Sequence, residues 1–255
     1  MDRSFLSQPP VVAAAQKFVC IRLTSYEDET EKAFVASLVR EVANTAFAIL
    51  GPDGKPITAR GRGPGNVYAD AADMAKGMDA IAAKYETKKV EGTPALPITL
   101  NLTVGLAVAA GDNQPLVVVL SPDPKRQKEL EAQVAEQAWS KAFAGRFTYA
   151  TGPDVKGLPK LKGATLTEGV LVIEPDIFGA GGKVIKEVTA DQIAEKLPAA
   201  LSLTLKTFVP PTKSRRDLAN LGLKEGIFYE TGIPVSGKGE AADRERYKLL
   251  LEKKK

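Results

Sequence analysis

The chain has no histidine, one cysteine and one tryptophan among its 255 residues, and each shortage removes a class of chemistry. Without histidine there is no imidazole base, no Ser-His-Asp or Cys-His pair, and no imidazole ligand for zinc or copper. Cys20 by itself cannot close an intrachain disulfide. No apolar run reaches the roughly 18 residues of a membrane span. The opening "MDRSFLSQPPVVAAAQ" also lacks the basic region and apolar block of a secretory signal. As written the chain is expected to stay in the cytoplasm, and it becomes extracytoplasmic only if a signal segment lies upstream. Charge imbalance is small as well: 35 basic against 31 acidic residues leave +4, much of it in the terminal "EKKK", which argues against a nucleic-acid surface.

What remains is an ordinary globular composition. Apolar residues at 44% and charged residues at 26% suit a packed interior, and the length suits two domains of about 100 to 130 residues. One pattern occurs twice. "FAILGPDGKPI" (47–57) and "VLVIEPDIFGAGGKVI" (170–185) both run from apolar residues through Pro-Asp, glycine and lysine back to apolar residues, the pattern of a strand, a tight turn and a returning strand.

Around the first hairpin, "PPVVAAAQ" predicts a short helix and "KFVCIRL" a strand. In "DETEKAFVASLVREV" the residues Phe34, Val35, Leu38, Val39 and Val42 form one helical stripe behind an acidic first turn. Asp70 can cap a helix whose apolar positions are Met74, Met78, Ile81 and Tyr85; that continuous stripe favours core packing over a methionine pair for copper. The order is α-β-α-β-β-α.

After the linker-like "ETKKVEGTPALP", "LNLTVGLAVAAGDNQ" predicts a helix and "PLVVVL" a doubly covered strand. A long helix follows from "SPDPKRQKEL", with Ser121 or Asp123 near its cap, and Trp139 is expected in the core or between domains. "RFTYA" is a strand, and the second hairpin leads to a helix capped by Thr189 in a box with Gln192. This half reads α-β-α-β-β-β-α, so strand, hairpin and closing helix recur in the same order, as in a duplicated α/β unit.

A hairpin carrying "ILGPDGKPI" or "VIEPDIFGAGGKVI" and followed by an amphipathic helix resembles the thioredoxin-like fold. "MDRSFLSQPPVVAAAQKFVCIRL" is similar to the stretch that follows the redox motif in bacterial members. The resemblance implies an α/β protein of two tandem thioredoxin-like domains, each with a mixed sheet, a C-terminal hairpin and a helix. They would span 1–90, with the first strand missing, and 97–201, ahead of an extension and charged tail over 202–255. Redox members carry Cys-x-x-Cys at a helix start, where the helix end lowers the thiol pKa and a second cysteine resolves the mixed disulfide. Here "SPDPKRQKEL" has no cysteine, the position before the second hairpin is Glu168 or Gly169, and the matching position in the first repeat is Thr45. Cys20, inside the predicted strand, is expected to be a buried structural thiol rather than a reactive one.

The missing first strand would leave the strand at 18–23 and the first hairpin unpaired. "GIFYE" (226–230) or a strand from another chain is expected to fill the gap, or else the natural protein begins upstream and this chain is a fragment or has a misassigned start. Weak anion sites are expected at Arg60 and Arg62 in "ARGRGPGNVY", and at Lys125 and Arg126 on the helix start. Asp123 with Glu129 or Glu131 does not define a carboxylate pair, because nothing places them in a cleft. No metal or cofactor is expected. Three functions fit: a non-redox binding or scaffolding protein that meets a protein partner or itself through an open sheet edge; a thiol or selenol oxidoreductase fragment whose motif lies upstream; or a structural subunit of a homo-oligomer.

Overall fold

A computed structural model describes residues 5–21, 23, 29–38, 46–58, 61–85, 92–99, 101–158, 160–210 and 215–227. They are mixed α/β, with seven helices and one five-stranded mixed sheet, and fall into two compact units, 5–85 and 92–227. Among the described residues, no helix is long and apolar enough to cross a membrane.

In the first unit, α1 (Pro9–Ala15) begins with prolines in its first turn, where their missing N–H groups cost nothing, and buries Val11 and Ala14. Helix α2 (Glu29–Leu38) buries Val35 behind its acidic first turn. Helix α3 (Ala71–Ala82) starts as expected, with Asp70 Oδ1 accepting from the Asp73 N–H at 2.8 Å. Met74, Ala75, Met78 and Ile81 then pack with Val11, Ala14 and Ile49, whereas Tyr85 is exposed. The first hairpin is present in reduced form: Leu50 bridges Pro56, Phe47 bridges Gly61, and Gly54 at φ 74° closes the turn.

Several expectations for this unit fail or fall outside the described residues. Residues 18–21 and 23 form no strand, and Val19 and Ile21 are 80% and 71% exposed. β-branched side chains favour a strand only beside a neighbour to pack on; Phe18 packs against the core of this unit, but Val19 and Ile21 stand exposed. Cys20 is accordingly exposed rather than buried. Thr45 and Arg60 lie outside the described residues, as do Val39 and Val42.

The second unit is layered. Its order is α4 (Leu102–Asp112), β1 (Leu116–Leu120), α5 (Pro124–Ala138), β2 (Thr148–Gly152), β3 (Leu161–Lys162), β4 (Gly169–Pro175), β5 (Gly182–Thr189), α6 (Ile193–Thr207) and α7 (Arg215–Glu225). The strands lie in the order β2-β1-β4-β5-β3, with β1 parallel to β2 and antiparallel to β4. Every β1 residue is buried, as "LVVVL" predicts for a central strand. Its alternate side chains feed two cores: Leu116, Val118 and Leu120 meet Leu102, Leu106 and Ala109 of α4. Val117 and Val119 meet Leu130 and Val134 of α5 and Leu197 and Leu201 of α6.

Strands β2 and β5 both have company on the side away from β1 and β4. Thr99 N–H donates to Tyr149 O at 2.9 Å beside an Ile98–Tyr149 bridge, so the residues just after the predicted linker run along β2. Along β5, Leu161 and Lys162 pair with Gly182 and Lys183, and Glu187 takes hydrogen bonds from Thr165 and Leu166. The β4–β5 turn is held from within, since Asp176 Oδ1 accepts from Phe178 N–H and Ala180 N–H. A Cβ on Gly179 would lie 2.6 Å from Ala107 Cα of α4, and one on Gly222 of α7 would lie 3.2 Å from the Phe178 ring.

Three details of this unit depart from expectation. The Thr189 hydroxyl does not cap a helix; it donates to Asp191 Oδ1 at 2.5 Å, and a 3-10 turn (Ala190–Gln192) comes before α6. Trp139 is 40% exposed, so it departs from the core half of its expectation, and its Nε1 donates to Ala95 O at 3.0 Å. Of "GIFYE", Gly226 follows the end of α7 at φ 71° and Ile227 N–H donates back to Gly222 O, so neither begins a strand; the other three residues lie outside the described ones.

Candidate functional site

The densest polar group gathers where α5 leaves the sheet. Asp123 caps the helix by accepting from the Lys125 N–H at 2.9 Å, and Pro124 occupies the first helical position. Just before it, Ser121 prolongs β1, its N–H donating to Gly152 O at 3.3 Å. Its side chain is 1% exposed, accepts from the Asp123 N–H and donates to Glu168 Oε2, both at 3.3 Å.

Glu168 arrives by register. Leu120 pairs with Gly169 across the antiparallel β1–β4 ladder, so the next step outward sets Ser121 beside Glu168. Gly169 has to be glycine, because φ is 133° and a Cβ would sit 2.3 Å from Val188 O. The other Glu168 oxygen accepts from Arg126 Nε at 3.4 Å, and Arg126 donates from its other side to Glu129 Oε2 at 3.0 Å. The Glu129 hydrogen bond, with that from Glu168, outweighs desolvation and raises the Arg126 pKa, keeping the guanidinium charged.

A neutral-to-acidic cluster adjoins it. Thr151 donates to Glu131 Oε1 at 2.7 Å, and Gln127 donates to that same oxygen at 3.0 Å and to the Thr151 hydroxyl. Gln127 and Glu131 are one helical turn apart, so this pair was readable from spacing. Glu168 was not, because its neighbours are fixed by strand pairing alone.

The anion reading of this helix start finds little free charge. Arg126 is shared between two carboxylates, and the Asp123 carboxylate occupies one of the helix-end N–H groups, which leaves exposed Lys125. Arg62 is exposed in the first unit, in the loop where Gly63 N–H donates to Asn66 Oδ1. Cys20 is also in that unit, with Sγ 4.0 Å from Ala15 O and desolvation raising its pKa. No thiol stands at the start of α5. Among the described residues, no group of three or more Cys, Asp or Glu side chains is arranged to hold a metal ion.

Chemically, the site is a set of satisfied polar contacts. The Ser121 hydroxyl is buried and donates its proton to Glu168, whose other oxygen is held by Arg126. No family model matches the chain, and neither a curated protein nor a solved structure is found to be similar to it.

Proposed function

We propose that the chain is a non-catalytic protein of two tandem thioredoxin-like domains that acts as a binding or scaffolding module. The order β2-β1-β4-β5, the parallel β1-α5-β2 crossover, the antiparallel β4–β5 hairpin and the closing helix α6 support that fold for the second unit. For the first unit, support comes from the hairpin turn of the same wording and the helix α3 after it.

One observation carries the functional half. At the start of α5, where redox members of such a fold keep their thiol pair, this chain has Ser121, Asp123 and an Arg126–Glu168 ion pair. A hydroxyl tied to a carboxylate cannot exchange with a disulfide.

The test is a reductase assay with insulin and dithiothreitol on the full chain. Turnover no faster than dithiothreitol alone is expected. Acceleration that disappears on Cys20→Ser overturns the proposal.

A further inference from the structure

Lys162 of β3 and Lys183 of β5 stand directly opposite each other in a parallel register, and Glu174 of β4 stands opposite Lys183 on its other side. Glu174 lies two residues from Val172, which faces the core beneath α5 and α6, so this cross-strand row belongs to that face of the sheet. Lys186 pairs with Val172 and joins the same face. All three lysines are exposed, and none is ion-paired among the described residues. Helix α6 packs on β4 and β5, and Lys206 in its last turn is exposed.

Like charges directly opposite on a sheet oppose its pairing, and Glu174 is the one carboxylate in the row. From this we infer a docking surface for an acidic polypeptide segment, which deepens the binding-module reading and rests on it. Lys183 and Lys186 are three residues apart on β5, and the β-bulge between them, opposite Val172 and Ile173, returns both to one face, at most roughly 10 Å apart. Point charges at that spacing suit carboxylates spread along an extended acidic chain better than one compact anion. The row has no arginine for bidentate phosphate contacts and no aromatic ring for base stacking, so it suits carboxylates rather than a nucleic acid.

The experiment titrates the full chain into a short fluorescein-labelled oligoglutamate peptide and reads anisotropy at low salt. The double variant Lys162→Glu/Lys183→Glu is expected to weaken binding by at least about tenfold, and Lys128→Glu, on α5, to leave it unchanged. If circular dichroism shows the double variant unfolded, Lys183→Gln takes its place with a smaller loss in the same direction. Absence of peptide binding, equal losses in the Lys128 variant, or tighter binding of an oligonucleotide of matched charge each overturn the inference. These outcomes are separable from the reductase assay: redox turnover defeats the non-redox reading without touching this surface, and failed peptide binding removes the surface without supplying a thiol.

Discussion

Glu168 divides its two carboxylate oxygens between the Ser121 hydroxyl and the Arg126 guanidinium, joining the end of β1 to the first turn of α5. The Arg126–Glu168 pair is partly exposed, with Arg126 also held by Glu129. Glu168→Gln is therefore expected to cost less than about 1 kcal/mol in urea unfolding. The difference should shrink in concentrated salt, where exposed ion pairs are screened. A larger, salt-independent loss would mean that the carboxylate is holding the loop before β4 through more than these contacts.

The backbone at Gly169 is a second target. Alanine there must adopt φ 133° and push its Cβ to 2.3 Å from Val188 O, which is expected to cost roughly 3 kcal/mol. Gly54 supplies the contrast, since at φ 74° nothing lies within 4 Å of an added Cβ and alanine should cost about 1 kcal/mol. Thermal and urea unfolding of the two variants measure the difference.

Tyr149 is 2% exposed, and its hydroxyl has no hydrogen-bond partner among the described residues. Burial raises its pKa above the ordinary 10.0. Tyr149→Phe removes an unpaired polar atom from the core, so it should leave stability unchanged or raise it by up to about 1 kcal/mol. Tyr149→Ala, which opens a cavity at the same place, should lose about 3 to 5 kcal/mol. In an absorbance titration of the folded protein, this phenol is expected to stay protonated above pH 10.0.

The Glu187 carboxylate provides a pH test. Burial pushes its pKa up, but hydrogen bonds from the Thr165 hydroxyl, Thr165 N–H and Leu166 N–H outweigh that and leave it below the ordinary 4.5. A depressed folded value means stability present above pH 4.5 and lost as pH falls through the lower folded pKa. Glu187→Gln should flatten that acid limb. Amide exchange at Thr165 and Leu166 should accelerate over the same pH range in the parent chain and not in the variant.

Local signals in the sequence were reliable at some elements and misleading at others. Asp70, Asp123 and the apolar run 116–120 announce two caps and a central strand, and each is found. "KFVCIRL" has the same composition as a strand and forms none, because a strand depends on neighbours elsewhere in the chain. Thr189 has capping-box spacing, yet its hydroxyl turns to Asp191, a nearer acceptor. Much of the candidate site was hidden for the same reason: 168 becomes a neighbour of 121 only through the Leu120–Gly169 pair.

That arrangement also sets a schedule for synthesis. Strand β1 is central, and its second partner, β4, is made long after it: Leu116 must wait for Ile173. A ribosome that has released β1, α5 and β2 therefore holds a half-sheet with one apolar flank of β1 uncovered. The nascent chain is expected to engage a chaperone most strongly in that interval, and release should come as β4 and β5 emerge and close the flank.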